Sequence, residues 1–544
     1  MSALGTRVRG AAAVLAVFVA LTSGMMWQQV RHIGDSAVPH QDVYFNMWRL
    51  QWVAHALATS PKDLFNGNIF YPEPRTLTFS DAMLVEGVTA APLSWLGVRP
   101  VLIHNIMLLG AIVLSSVGMF ALVRYLTGSR GAGLLAGAIF GFAPYRFEHI
   151  MHMELQWTMW MPLTFLAMHR TFDSGRMRDG LATGAAMALQ LLSSIYYGVF
   201  LGVLLPVSGV VMLMGARWTE VRRAMIPLAT GAVLAASVAI VYAQPYLVTR
   251  DRVGERPADE IRTFAARPLD YLVAPPTNWL YGKLFENRGQ SERRLFPGAV
   301  PFLLAIVGVL LRPLSRVGVA YLLMLVAAFE ASLGLRGYAY TFLYEQFAAF
   351  HGLRAPARLG IFVVFSLAVL AGFGYVWLAA ALRARARLVL LATLLTAVLV
   401  EDFTSVPLVT YPNEVSPVYR LLAQQPWGVV AEFPMPKIDS LPGPDPKYIY
   451  LSVFHWKPIV NGYSGFYPPS YIRRILDLRR FPEPFSLRVL RRADVRYMLI
   501  HESGYGEDRA TYEETLRTLD NEEGVRKLGA FSDGEASATL YVFR

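Results

Sequence analysis

Three groups of residues have the type and spacing to do chemistry. The first is a carboxylate, Asp42, in the run His40-Gln41-Asp42-Val43-Tyr44-Phe45-Asn46-Met47-Trp48. Apolar side chains recur at Tyr44, Met47, Trp48, Trp52, Val53 and Leu57, which is helical spacing and places Asp42 at the N-cap. An Asp there commonly caps the helix. A carboxylate within reach of a hydroxyl also accepts its proton as a general base. The second group lies between Pro144 and Trp157 and holds Arg146, Glu148, His149, His152 and Glu154. On a helix, Glu148 and His152 (four apart) and His149 and His152 (three apart) share a side. Two His and a Glu are metal ligands by type, but their spacing is not that of a zincin, and a hydrogen-bonded cluster is the commoner outcome. No cofactor is demanded, and Mg²⁺ or another divalent cation stays open. The third group, Phe347 to Leu359, carries Arg354 and Arg358, whose guanidinium forks match phosphate oxygens. The loop before it adds Arg262, Arg267, Arg293 and Arg294.

These groups need elements to hold them. The chain has 544 residues, 54% hydrophobic and 16% charged, against roughly a quarter charged in a soluble protein. Stretches apolar enough for a bilayer fall near 11–29, 104–123, 131–147, 156–172, 180–196, 197–214, 225–243, 299–311, 317–335, 360–382 and 388–403. The expectation is about 11 transmembrane helices, with a bend at Ser193-Ser194-Ile195-Tyr196-Tyr197-Gly198. The first stretch reads as an uncleaved anchor, because no small-residue cleavage site stands at a suitable distance. Glu330, inside an apolar run, either lines a cavity or sits one turn from the interface.

Loop charge orients the stack. With the N-terminus in the cytoplasm, the short inside loops, Arg312 and Arg7 among them, hold 15 basic residues against three acids, Asp173, Asp179 and Glu220. The long loops 30–103, 244–298 and 336–359 then lie outside, and with them the three reactive groups. The net charge of +11 is spread over short loops, which argues against nucleic acid as a partner. The absence of cysteine excludes thiolate metal sites, a Cys nucleophile and disulfides.

From 404 to 544 the composition turns globular, with 17 acidic and 17 basic residues. Strands are expected over Gly428–Pro434, Val495–His501 and Thr539–Phe543, and helices over Val418–Gln424, Tyr471–Leu478 and Tyr512–Asp520. That alternation predicts a small extracytoplasmic α/β domain after a membrane domain of residues 1–403. The loop Asn461-Gly462-Tyr463-Ser464-Gly465-Phe466-Tyr467-Pro468-Pro469 offers aromatic faces, either for a sugar or for packing.

Taken together, the pattern resembles the GT-C superfamily of polytopic membrane glycosyltransferases. The residues that carry the resemblance are Asp42 in HQDVYFNMWRLQW, Asn68-Ile69-Phe70-Tyr71-Pro72, His149 to Trp157 in HIMHMELQW, the SSIYYG bend, Phe296-Pro297-Gly298 and FHGLRAPAR. The resemblance implies transfer of a sugar from a polyprenyl-phosphate donor to a glycan, lipid or protein hydroxyl at the outer face of a bacterial inner membrane, with inversion. It implies Asp42 as catalytic base and Glu154 (or Glu148) as the second acid. Arg354, Arg358 and Arg146 would meet the donor phosphate, and His149, His152, Trp48 and Tyr463 the substrates. One departure weakens a metal-dependent version. Many members carry paired acids at the first-loop site, whereas Asp42 stands between Gln41 and Val43. A transporter or flippase of a lipid-linked glycan, or a non-catalytic assembly protein on the same scaffold, is the competing reading.

Overall fold

A helix runs through each of the eleven apolar stretches in the computed structural model, which describes residues 3–544 apart from 215, 286–287, 312–313, 413–414, 507 and 533–536. Arg312 and the side chain of Arg7 lie outside the described residues. Among the described residues four helices are long and apolar enough to cross a membrane: Pro100–Thr127, Ile195–Leu213, Trp218–Val253 and Pro356–Ala380. Others fall short of the roughly 20 residues that a bilayer needs. Arg130–Phe142 has 13 residues and Ala299–Leu310 has 12; within the stretch 131–147, Pro144 opens a separate short helix. Large apolar side chains such as Val233, Ile240, Val241, Leu388 and Val389 stand exposed along the helices. Water penalises such a surface and a bilayer does not; this is a multi-pass membrane protein.

The chain divides into two compact units whose boundaries do not follow sequence order. The first comprises 1–33, 105–242 and 255–408. The second joins 34–104 and 243–254 to 409–544. The first outside loop, expected to belong with the membrane part, thus packs with the C-terminal segment.

Within the first unit the helices cross at glycines. A Cβ on Gly184 would stand 2.0 Å from the Gly231 carbonyl oxygen, and one on Gly374 would stand 2.0 Å from that of Leu304. Small residues spaced four apart, Gly180 and Gly184, let two backbones touch without large side chains between them. The expected bend is present: helix Met177–Ser193 ends at Ser194, helix Ile195–Leu213 begins, and Gly198 lies against Leu191. Glu330 stands near the end of the helix Arg316–Ser332. Its carboxylate accepts the amides of Tyr338 and Ala339 and so caps the helix Tyr338–Gln346. Glu401 does the same for Ala299 and Val300, at 2.6 and 2.9 Å.

In the second unit the strands β1 (Ser36–Ala37) and β2 (Val409–Thr410) pair antiparallel. Farther on, β3 (Val429–Phe433), β4 (Val495–His501), β5 (Val525–Ser532) and β6 (Ser537–Phe543) form a sheet in the order β3-β4-β6-β5, with β3 parallel to β4 and the remaining pairs antiparallel. β3 is buried along its whole length, the carboxylate-bearing Glu432 included. Helices Pro417–Gln424, Pro469–Asp477 and Arg509–Asp520 lie where the periodicity predicts them. β5 is unexpected. Its buried and exposed positions do not alternate cleanly, and a register shift between Lys527 and Gly529 breaks the period.

Candidate functional site

Asp42 lies in the second unit, one residue inside the helix Gln41–Thr59. It is not the cap. His40 holds that position, and its Nδ1 accepts the Asp42 amide at 3.1 Å. The Asp42 carboxylate instead meets the aromatic loop whose faces suit either a sugar or packing. Tyr463 Oη donates to Asp42 Oδ1 at 2.5 Å, and Oδ2 lies 3.5 Å from His40 Nδ1. Two of the residues singled out in the sequence, 421 positions apart, are thereby joined. A phenol donating to a carboxylate steadies the ionised form and fixes its orientation.

Tyr467 stands nearby. The charges of Asp445 and Asp42 act on its phenol, and its buried hydroxyl finds no hydrogen-bond partner. Sequence reasoning covered this loop and passed over Tyr467, since an aromatic-rich loop does not reveal which ring is left unsatisfied. Trp48 is fully buried, stacks between Phe45 and Trp52, and donates to Asn68 Oδ1 at 2.9 Å. It supports the site from behind and does not line it. Asn68 also reaches Ser452 Oγ and the Lys457 carbonyl, so the Asn68-to-Pro72 motif ties the first-loop helix to the C-terminal segment.

The backbone that presents Tyr463 is itself anchored. Asn461 exchanges hydrogen bonds with both main-chain groups of Glu432 in β3, and its Nδ2 donates to Asp445 Oδ1 at 3.0 Å. Gly462 has no Cβ because the Phe70 ring occupies that space. Burial pushes the Asp445 carboxyl up to about 7, against hydrogen bonds from Tyr471 and Asn461 that pull it down. That value lies above the ~3.9 of an unfolded Asp. Between the two the folded chain keeps a proton that the unfolded chain has lost, so stability falls as pH rises through that interval and levels off above it. The expected loss is on the order of 4 kcal/mol. Unfolding midpoints of Asp445→Asn between pH 4 and 8 should lack this slope, whatever their absolute level; an unchanged slope would assign it to another group.

Removing the Tyr463 hydroxyl tests the contact itself. Tyr463→Phe should lose about tenfold to a hundredfold in turnover, the worth of one hydrogen bond to a charged group, with little change in melting temperature. Unaltered kinetics would reduce the contact to packing.

In the first unit the second and third groups converge on a residue that the sequence reading did not single out, Glu292. Arg358 grips it with two hydrogen bonds, Nη2 to Oε1 at 2.5 Å and Nε to Oε2 at 3.1 Å. His149 Nε2 lies 3.2 Å from Oε2 and His152 Nε2 3.8 Å from Oε1. Burial alone would raise the Glu292 carboxyl, but the charges of Arg358 and His149 outweigh it and hold it well below the usual carboxylate range. Its only sequence signal was an acid beside the paired Arg293 and Arg294. Glu154 is buried and adds its charge to the field at Arg358. Glu148 pairs with Arg294 at 2.9 Å.

Arg146 does not join this cluster of charges. It is buried and donates to Thr158 Oγ1 and the Gln156 carbonyl, closing the loop between them. Arg354 is the most open of the three predicted arginines, its side chain 32% exposed, 3.6 Å from Glu260 and over the Phe264 ring. Among the described residues no three His, Asp or Glu side chains are grouped to hold a metal ion. Glu148 and Glu292 are matched by guanidinium and imidazole partners, a donor set that does not suit a divalent cation.

No protein-family model and no curated protein matches the sequence. Solved structures do match. The arabinofuranosyltransferase AftD from mycobacteria aligns over 98% of this chain with a TM-score of 0.65 at 15% identity, and the match spans 40% of that larger protein. ArnT from Cupriavidus metallidurans aligns over 99% of this chain and 98% of its own, with a TM-score of 0.49 at 13% identity. The oligosaccharyltransferase AglB from Archaeoglobus fulgidus aligns over 98% and 74%, with a TM-score of 0.43 at 11% identity. The first likeness shows the fold alone: over nearly its whole length this chain shares the fold of part of that arabinofuranosyltransferase.

Proposed function

We propose that the chain is a membrane glycosyltransferase that moves a sugar from a polyprenyl-phosphate donor to an acceptor hydroxyl of a glycan, a lipid or a protein. The observation that carries the reading is the Asp42 carboxylate, presented at the start of the first-loop helix and held at 2.5 Å by Tyr463. The fold shared with an arabinofuranosyltransferase supports it. In the reaction the acceptor oxygen attacks the anomeric carbon while Asp42 takes its proton. The bond from that carbon to the phosphate oxygen breaks, and its electron pair leaves with the phosphate. One displacement inverts the anomeric centre. Tyr463 keeps one carboxylate oxygen fixed, so the other, beside His40, receives the proton. Tyr467 offers its unsatisfied hydroxyl to the acceptor. The residues that the resemblance assigns to the leaving phosphate and to the second acid, Arg354 and Glu154, belong to the first unit. Arg358 stays with Glu292. No step requires a metal.

The test is turnover by the purified protein with a panel of polyprenyl-phosphate sugars and hydroxyl acceptors. Transfer with inverted configuration is expected. Transfer from nucleotide sugars alone would remove the donor assignment, and retained configuration would remove direct displacement.

A further inference from the structure

The first unit gathers four guanidiniums around one buried carboxylate at a place that the transfer chemistry does not use. Asp270 lies in the turn Pro268–Leu272, where its Oδ2 accepts the Arg267 amide at 2.8 Å. Arg293, from the turn Ser291–Arg293, brings its Nε to 3.8 Å from the same oxygen, and that buried nitrogen finds no acceptor at hydrogen-bond distance. Arg336, from the turn Gly334–Arg336, donates from Nη1 to the Ala265 carbonyl at 3.2 Å. Backbone bonds from Ala266 to Ser332 and from Leu295 to Asp270 knit the three turns together. Arg262 adds its charge and is paired with Asp259 at 2.9 Å. Four cations face two acids, an excess of two positive charges. Burial and the neighbouring guanidiniums of Arg267 and Arg293 make the Arg336 cation harder to keep, so the cluster is short of an anion.

The apolar residues of the same turns narrow the choice of anion. Leu269 and Leu272 are 61% and 53% exposed, and Tyr338, two residues after Arg336, is 91% exposed. Guanidinium and large apolar side chains alternate on one short stretch of surface. A free phosphate has no use for the apolar ones. A bilayer boundary uses both, with apolar side chains at the acyl edge and cations at the phosphodiesters. We propose that this cluster binds the headgroup of an anionic phospholipid, with Arg267, Arg293 and Arg336 on the phosphodiester and Leu269, Leu272 and Tyr338 along the acyl chains. The site is independent of glycosyl transfer.

The experiment is native mass spectrometry of the full chain in detergent, titrated with phosphatidylglycerol and, separately, with phosphatidylcholine. Phosphatidylglycerol should be retained in preference. Arg267 is exposed; Arg267→Gln should weaken retention about fivefold and Arg267→Gln/Arg336→Gln about thirtyfold. Leu269→Gln/Leu272→Gln should weaken it with every charge left in place. Retention by the double arginine variant equal to wild type would overturn the proposal. So would displacement of the lipid by inorganic phosphate, which would mark a small-anion site, or by polyprenyl phosphate, which would give the site to the donor.

Discussion

Asp42→Asn lowers glycosyl transfer by about 10²- to 10⁴-fold, the span that one positioned general base contributes, and leaves the protein folded. The substitution keeps the size of the side chain, and an amide oxygen still accepts the Tyr463 hydroxyl that Asp42 Oδ1 accepts now. The helix keeps its cap because the capping imidazole belongs to His40. What disappears is the ability to take a proton from the attacking hydroxyl. The loss should therefore fall on kcat, with KM little changed. The measurement is steady-state transfer by wild type and variant at matched melting temperature. A folded Asp42→Asn protein as active as wild type would move the base elsewhere, with Glu154 the next residue to test. Comparison with Tyr463→Phe sharpens the result. A positioning hydroxyl should cost far less than the base it positions, and equal losses would mean that the two act as one unit.

The apolar stretches were legible because burial in lipid imposes a long, simple pattern, and every one of the eleven is helical. Their lengths were less legible. Pro144 breaks the helix inside a run that hydropathy alone extends to 147. Strand β4 was found to the residue because it is apolar, β-branched and bounded by turns. β5, bulged and half-exposed, gave no period to read.

At the candidate site the pattern named Asp42 and Tyr463 but not their contact. That contact depends on Asn461, Gly462 and Phe70 setting a loop against the first-loop helix, and no local spacing encodes a pairing across 421 residues. Glu292 was missed for the opposite reason. Its neighbours Arg293 and Arg294 drew attention as cations, while its own partners, Arg358 and His149, come from distant segments. Asp42 as an N-cap was a local inference, and the folded helix gives that role to His40; Trp48, which the resemblance assigns to the substrates, stacks between Phe45 and Trp52.

Glu292→Gln should be the most destabilising single change in the first unit, costing about 3–5 kcal/mol, because it leaves the Arg358 guanidinium buried without a counter-charge. The side chains are 5% and 11% exposed, so water does not repair the loss. Arg358→Gln should cost a similar amount by stranding the carboxylate. The double variant should be milder than the sum of the two, since neither charge is then left alone. Unfolding in detergent measured through this cycle gives the coupling directly, and a coupling near zero would show that the grip of Arg358 on Glu292 stabilises nothing. The pH dependence has a definite sign. Arg358 and His149 hold the Glu292 carboxyl well below the unfolded value of ~4.3. The stability it supplies is therefore complete above that value and is lost as pH falls toward the folded one. Wild type should weaken on acidification through that window and Glu292→Gln should not. The same pair decides which arginine is available for chemistry. A guanidinium that closes two hydrogen bonds on a buried carboxylate must break them to meet a phosphate, whereas Arg354, one-third exposed and 3.6 Å from Glu260, has less to give up. Arg354→Gln should then reduce transfer with little effect on unfolding, the reverse of Arg358→Gln, and the opposite ranking would exchange their roles.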